Sequence, residues 1–114
     1  MTLQEREAHA CAIIDSMAEE LRDVSLYLHD NPELGLDEYK AVKVINQFLE
    51  THNFTSQVGL TDLPELQTAL RGDYNDTAQH KIAFLGEYDA LPELGHGCGH
   101  NLIAMMSLGA AIAF

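Results

Sequence analysis

An unbroken apolar run at residues 82–85, Ile-Ala-Phe-Leu, stands between a polar loop and a stretch rich in glycine and histidine. Four consecutive apolar residues bounded by turn residues are typical of a strand that is buried on both faces of a sheet. Strands of this kind occur in proteins whose helices cover the sheet. The run therefore predicts a strand over residues 81–86 and an α/β fold.

Two helices are predicted before this strand. Apolar residues recur at alternating spacings of four and three over residues 10–28, which predicts a helix over residues 3–29. A second apolar face over residues 41–49 predicts a helix that begins near Asp37, a favourable N-cap residue, and ends at about His52. We interpret both apolar faces as core packing.

Further strands and a loop complete the predicted order of elements. Residues 54–58 and 66–71 are candidate strands, so the sheet is expected to have two or three strands. The loop over residues 87–99 follows the strand at 81–86 and leads into an apolar helix that runs towards Phe114. In α/β folds, ligands bind beyond the carboxyl ends of the strands, so this loop is the predicted functional site.

The charge of the chain limits the class of its partners. Its 114 residues include 6 Lys and Arg against 18 Asp and Glu, a formal net charge of −12. This charge repels phosphate backbones and anionic lipids, so we expect neither nucleic acid nor a membrane as a partner. The two cysteines, Cys11 and Cys98, lie far apart in sequence and do not suggest a disulfide framework, which favours a cytoplasmic location.

The loop sequence EYDALPELGHGCGHN, residues 87–101, carries three carboxylates, two imidazoles, one thiol and three glycines. Its glycines alternate with His96, Cys98 and His100, and in an extended backbone such side chains lie on one side. Thiolate sulfur and imidazole nitrogen are ligands that suit zinc and neighbouring metals. We therefore predict a metal site at Cys98 and His100, with His96 as a weaker candidate.

Asp89 directly follows the predicted strand and can hold the far ring nitrogen of a ligating histidine. A second chemistry stays open, in which Cys98 is a nucleophile and a neighbouring histidine is its base. Residues only two positions apart face each other poorly for proton transfer, whereas two ligands converge on one ion without difficulty. The metal site is therefore the favoured interpretation.

The segment GEYDALPELGHGCGHN, residues 86–101, closely resembles the first metal-site segment of the M20 metallopeptidases, in their amidohydrolase branch. Its EYDALP and GHN variants are most similar to the p-aminobenzoyl-glutamate hydrolase type and the M20 domain-containing protein 2 type. Upstream, LHDNPELGLDEYKAV at residues 28–42 resembles the opening pattern of the same branch. The resemblance implies a zinc-peptidase-like α/β catalytic domain with two divalent metal ions, Zn or Mn. It also implies hydrolysis of an amide bond in N-acyl amino acids or dipeptide-like substrates.

Positions of the family pattern imply roles for individual residues. Cys98 and His100 match the first two metal ligands, and Asp89 matches the acidic residue that supports a ligand. Glu87 falls where other M20 branches have a ligating histidine and is, like His96, only a further candidate. The glutamate pair that contains the general base, the later ligands and the lid or dimerisation domain are expected beyond Phe114.

We therefore expect residues 1–114 to be the N-terminal part of an M20-type catalytic domain. Phe114 closes the sequence inside an apolar run without a helix-stopping residue, which agrees with this interpretation. The full-length parent is expected to be a homodimer that acts on a small-molecule amide substrate, and this part alone is expected to be inactive. The alternative is a short non-catalytic protein on the same scaffold that binds metal or a partner protein.

Overall fold

Four helices and one antiparallel pair of strands make up the protein, which a computed structural model describes over all residues from 1 to 114. In chain order these elements are α1 Leu3–Ser16, α2 Ala18–Asp30, α3 Tyr39–Thr51, β1 Thr55–Val58, β2 Leu70–Asp73 and α4 His100–Ala113. The predicted α/β class, the two strands and the final apolar helix are confirmed. None of the four helices combines the length and the apolar character that a membrane span needs.

The helix predicted over residues 3–29 is divided at Met17 into α1 and α2, so three helices rather than two precede the sheet. Met17 leaves helical geometry, with φ −113° and ψ 16°, and its side chain is buried. The interruption lets both helices pack against α4 while Met17 enters the core. Neither glycine nor proline marks this position, so the sequence carries no local signal for the break.

One cluster of buried apolar side chains joins α2, α3 and α4. Leu28 of α2 is the most deeply buried, with 1% of its surface exposed. The whole predicted inner face of α3 is buried, which confirms that part of the prediction. The members of the cluster are Met17, Val24, Leu28, Ala41, Ile45, Phe48, Leu49, Ala104 and Met105.

The sheet contains only β1 and β2, which pair antiparallel. The strand predicted at residues 54–58 is confirmed, whereas the second strand begins later than the predicted 66–71. Gly72 lies within β2 and faces α3. A Cβ atom at Gly72 would approach Leu49 Cδ1 to 2.9 Å, so glycine allows the strand to lie this close to the helix.

The strand predicted over residues 81–86 is not formed. Residues 79–89 make no backbone–backbone hydrogen bond, and Ile82 and Leu85 are 62% and 89% exposed. A strand requires a neighbouring strand, and none lies beside this segment. The prediction that the site loop leaves the carboxyl end of a central strand is therefore also wrong.

This unpaired segment nevertheless rests on α4. The rings of Phe84 and Phe114 lie 5.9 Å apart between centroids. A Cβ atom at Gly86 would come within 2.9 Å of Ser107 Cβ, which shows how closely the backbone approaches the helix. The segment leads from this contact into the candidate site.

The N-terminus of α3 is capped by a residue outside the helix. Asp37, the predicted cap, makes no side-chain hydrogen bond. Instead, the carboxylate of Glu33 accepts hydrogen bonds from the backbone N–H groups of Lys40 at 2.9 Å and Ala41 at 2.8 Å. These bonds satisfy two donors that a helix end otherwise leaves free, and the negative charge complements the helix dipole.

Replacing Glu33 by alanine is expected to lower the free energy of unfolding by about 1 kcal/mol, the typical cost of losing a helix cap. Asp37→Ala is the matched control, because Asp37 also precedes α3 but its side chain makes no hydrogen bond to the helix. Urea unfolding followed by circular dichroism measures both variants. Equal losses for the two substitutions would contradict the assignment of the cap to Glu33.

Candidate metal-binding site

The site loop is a series of tight turns. The N–H of Gly99 donates to the carbonyl of His96 at 3.1 Å, and Gly99 has a left-handed φ of 85° where α4 begins. The backbone therefore bends between His96 and His100. The expectation that alternate side chains project from one side of an extended backbone is wrong, because the glycines form a turn.

His100, the first residue of α4, lies between two carboxylates. Its Nδ1 is 2.8 Å from Asp89 Oδ1 and 3.0 Å from the Asp89 carbonyl oxygen. Its Nε2 is 2.8 Å from Glu87 Oε2. The side chain of His100 is 18% exposed, so the ring is held in a largely buried position with the exposed Glu87 at its outer edge.

These neighbours raise the pKa of His100 above its ordinary value. Burial is the strongest single effect and lowers this pKa. The hydrogen bonds to Asp89, its negative charge and that of Glu87 together outweigh burial. The ring is thus oriented by Asp89 on one nitrogen while the other nitrogen faces a second acidic group.

Cys98 and His96 lie on the same loop outside this arrangement. Cys98 is an exposed free thiol, as is Cys11. The Nδ1 atom of His96 is buried and has no hydrogen-bond partner. Burial, followed by the charge of the neighbouring His100, lowers the pKa of His96 and favours its neutral form.

Sequence comparison relates the chain to known hydrolases. The Xaa-Arg dipeptidase of Homo sapiens is 34% identical over 108 residues, which cover 87% of this chain and 25% of that protein. The Xaa-Arg dipeptidase of Mus musculus is 36% identical over 105 residues, or 87% of this chain and 24% of that protein. By sequence, this chain is M20 amidohydrolase-like.

A bacterial relative supports the same M20-like identity. One of the p-aminobenzoyl-glutamate hydrolase subunits of Escherichia coli (strain K12) is 30% identical over 117 residues, which cover 88% of this chain and 24% of that protein. The chain thus spans about a quarter of the length of these curated relatives. No protein-family model matches it.

The side chains of the M20-like loop provide some, but not all, of the donor groups that a metal ion needs. His100 Nε2 and Glu87 Oε2 lie close enough to share an ion, whereas Asp89 occupies the opposite nitrogen and so supports the ring. The structure contains no group of three or more His, Cys, Asp or Glu side chains arranged to hold a metal ion. The ligand roles of Cys98 and His100 therefore stay predictions, although the Asp89–His100 contact is present.

A series of hydrogen bonds from Glu38 through Thr68 to Tyr88, the residue before Asp89, was not predicted from the sequence. Glu38 accepts hydrogen bonds from the N–H of Leu36 at 2.9 Å and from the hydroxyl of Thr68. The carbonyl of Thr68 accepts a hydrogen bond from the hydroxyl of Tyr88. Burial, and secondly the negative charge of Glu38, raises the pKa of Tyr88 to about 12. The tyrosine hydroxyl therefore stays protonated and acts as a donor.

Proposed function

We propose that this chain forms the first metal-site part of an M20-type hydrolase that cleaves an amide bond in a dipeptide-like or N-acyl amino acid substrate. The names of the relatives, Xaa-Arg dipeptidase and p-aminobenzoyl-glutamate hydrolase, support this reaction class. The observation that carries the proposal is the His100 ring, held at Nδ1 by Asp89 and close to Glu87 at Nε2.

The proposed roles follow from the chemistry of each donor. His100 presents Nε2 to a divalent ion, and Asp89 fixes the orientation of the ring. Cys98 supplies a thiolate, Glu87 a carboxylate oxygen, and His96 is a further candidate donor. The resemblance leads us to propose two ions, Zn or Mn, which when bound supply a water with a pKa of roughly 7 and positive charge for the developing oxyanion.

The proposed setting of the activity comes from the same resemblance. We propose that the parent protein is a homodimer in the cytoplasm and that it supplies the general base and the later ligands. Two free cysteines agree with a reducing compartment. On this view residues 1–114 bind and orient metal but do not complete the reaction.

A non-catalytic role is the second candidate. The exposed apolar side chains of Ile82 and Leu85, on a segment without backbone partners, favour contact with another protein surface. In that case the metal-site loop would bind an ion, or a partner protein would bind the chain, without hydrolysis.

The test is an assay of the protein encoded by the complete reading frame that contains this chain. Dipeptides ending in arginine and p-aminobenzoyl-glutamate serve as substrates, before and after chelation. We expect activity that is lost on chelation and restored by zinc or manganese. Cys98→Ala is expected to lower it by more than about 100-fold, since loss of a supporting partner alone costs up to about that much.

Cys11→Ala is the matched control, because Cys11 is also an exposed free thiol but lies on α1. Activity that survives exhaustive chelation and disappears on alkylation of Cys98 would favour a thiol nucleophile over a metal. Bound metal without hydrolysis of any amide would favour the non-catalytic role.

A further inference from the structure

The backbone on the C-terminal side of Asp89 is tied to the segment before α3. The N–H of Ala90 donates to the carbonyl of Glu33 at 2.7 Å, and Ala90 is buried. Because the side chain of the same Glu33 caps α3, this carbonyl is fixed relative to the helix. This bond is the only backbone–backbone hydrogen bond that residues 79–90 make.

The N-terminal side of Asp89 is tied to the same segment by side chains. The Tyr88 hydroxyl donates to the carbonyl of Thr68, and the Thr68 hydroxyl donates to Glu38 Oε2. Glu38 Oε1 accepts the N–H of Leu36. Glu38 and Thr68 are 8% and 3% exposed, so a broken link would leave a buried polar group without a partner.

We propose that Glu38 is a positioning residue, which holds Tyr88 through Thr68 and thereby fixes Asp89 against His100. Glu38, through Thr68 and Tyr88, holds the backbone before Asp89, and the carbonyl of Glu33 holds the backbone after it. Both oxygens of the Glu38 carboxylate accept bonds, whereas glutamine offers one acceptor and one donor, so Glu38→Gln removes the acceptor of the Thr68 hydroxyl. The identity of the ligand that His100 binds rests on the proposed function. The positioning of Asp89 by Glu38 does not.

The geometry around Gly35 brings the two acidic side chains to one place. A Cβ atom at Gly35 would lie 3.8 Å from Asp89 Oδ2 and 3.9 Å from Glu38 Oε1. The turn that contains Gly35 therefore lies between the positioning residue and the residue that it positions. A shift of Glu38 is transmitted to Asp89 through Tyr88 and through this turn.

Amide hydrogen exchange of Ala90 in the full chain tests the proposal. The Ile45 amide in the buried face of α3 is the internal reference for global unfolding. Tyr88→Phe removes one hydroxyl and keeps the ring, and Glu38→Gln keeps the shape of the side chain. Each is expected to accelerate exchange at Ala90 by about tenfold relative to Ile45. Asp37→Asn, in the same segment but without a side-chain hydrogen bond, is expected to leave the ratio unchanged.

Titration with Co²⁺ alone separates this proposal from the proposed function. With a metal site present, Tyr88→Phe and Glu38→Gln are expected to weaken Co²⁺ binding by about 10–100-fold. Faster exchange at Ala90 without Co²⁺ binding by any form of the protein supports the positioning role and contradicts the metal site. An unchanged ratio in both variants, or equal acceleration at Ala90 and Ile45, overturns the positioning role whatever the Co²⁺ result.

Discussion

Leu28→Ala is expected to lower the free energy of unfolding by about 2–5 kcal/mol, the range for a leucine truncated inside a packed core. Leu28 is 1% exposed and lies in the cluster that joins α2, α3 and α4. A loss of this size is a large share of the roughly 5–15 kcal/mol that stabilises a natural domain. Urea unfolding followed by circular dichroism measures the change.

The control for this substitution is Leu26→Ala. Leu26 lies on the same helix but is 49% exposed, so its truncation removes little buried surface and leaves no cavity. A similar loss for both variants would show that helix propensity, rather than burial, determines the effect. We expect the Leu28 variant to lose far more stability than the Leu26 variant.

His100→Ala is expected to weaken binding of Zn²⁺ or Co²⁺ by more than about 100-fold, beyond the cost of losing a supporting residue. The substitution removes the ring nitrogen that faces Glu87, and it leaves two carboxylates without the group between them. Asp89→Asn is expected to have a smaller effect, about 10–100-fold, since it removes only the support of the ring.

Isothermal titration calorimetry at constant pH measures these affinities. His80→Ala is the matched control, because His80 is exposed and makes no side-chain hydrogen bond. Binding that is as tight in the His100 variant as in the unchanged chain would remove His100 from the metal site. Binding that is weakened equally by the His80 substitution would point to a non-specific effect of losing an imidazole.

Local patterns predicted the helices and failed where distant partners decide the structure. The face of α3 that includes Ile45 and Phe48 is set by spacing within one helix, so the sequence was sufficient. The break at Met17 was not predictable, because the apolar spacing continues through it and the cause is packing on α4. The apolar run at 82–85 indicated a buried strand, but burial also requires neighbouring strands, and no strand pairs with it here.

The candidate site also contains contacts between residues close in sequence, which could be predicted, and contacts between distant residues, which could not. Asp89 and His100 are eleven residues apart, and the structure places Asp89 Oδ1 2.8 Å from His100 Nδ1, while the role of the ring as a metal ligand stays a prediction. The buried pairing of Glu38 with Thr68 spans thirty residues and depends on how the sheet packs against α3, so no spacing rule could find it. The alternation of glycines led to the wrong prediction of an extended backbone in the site loop, because glycine permits a turn as readily as an extended strand.

The interruption at Met17 also leaves α1 without a residue in the buried cluster. Helix α1 contains no fully buried residue, and only the half-buried Ile13 and Ile14 pack from it against the core. Met17 and the rest of the cluster belong to the chain that follows. Detachment of α1 therefore exposes no fully buried side chain of its own, and we expect the first sixteen residues to open without unfolding of the buried cluster.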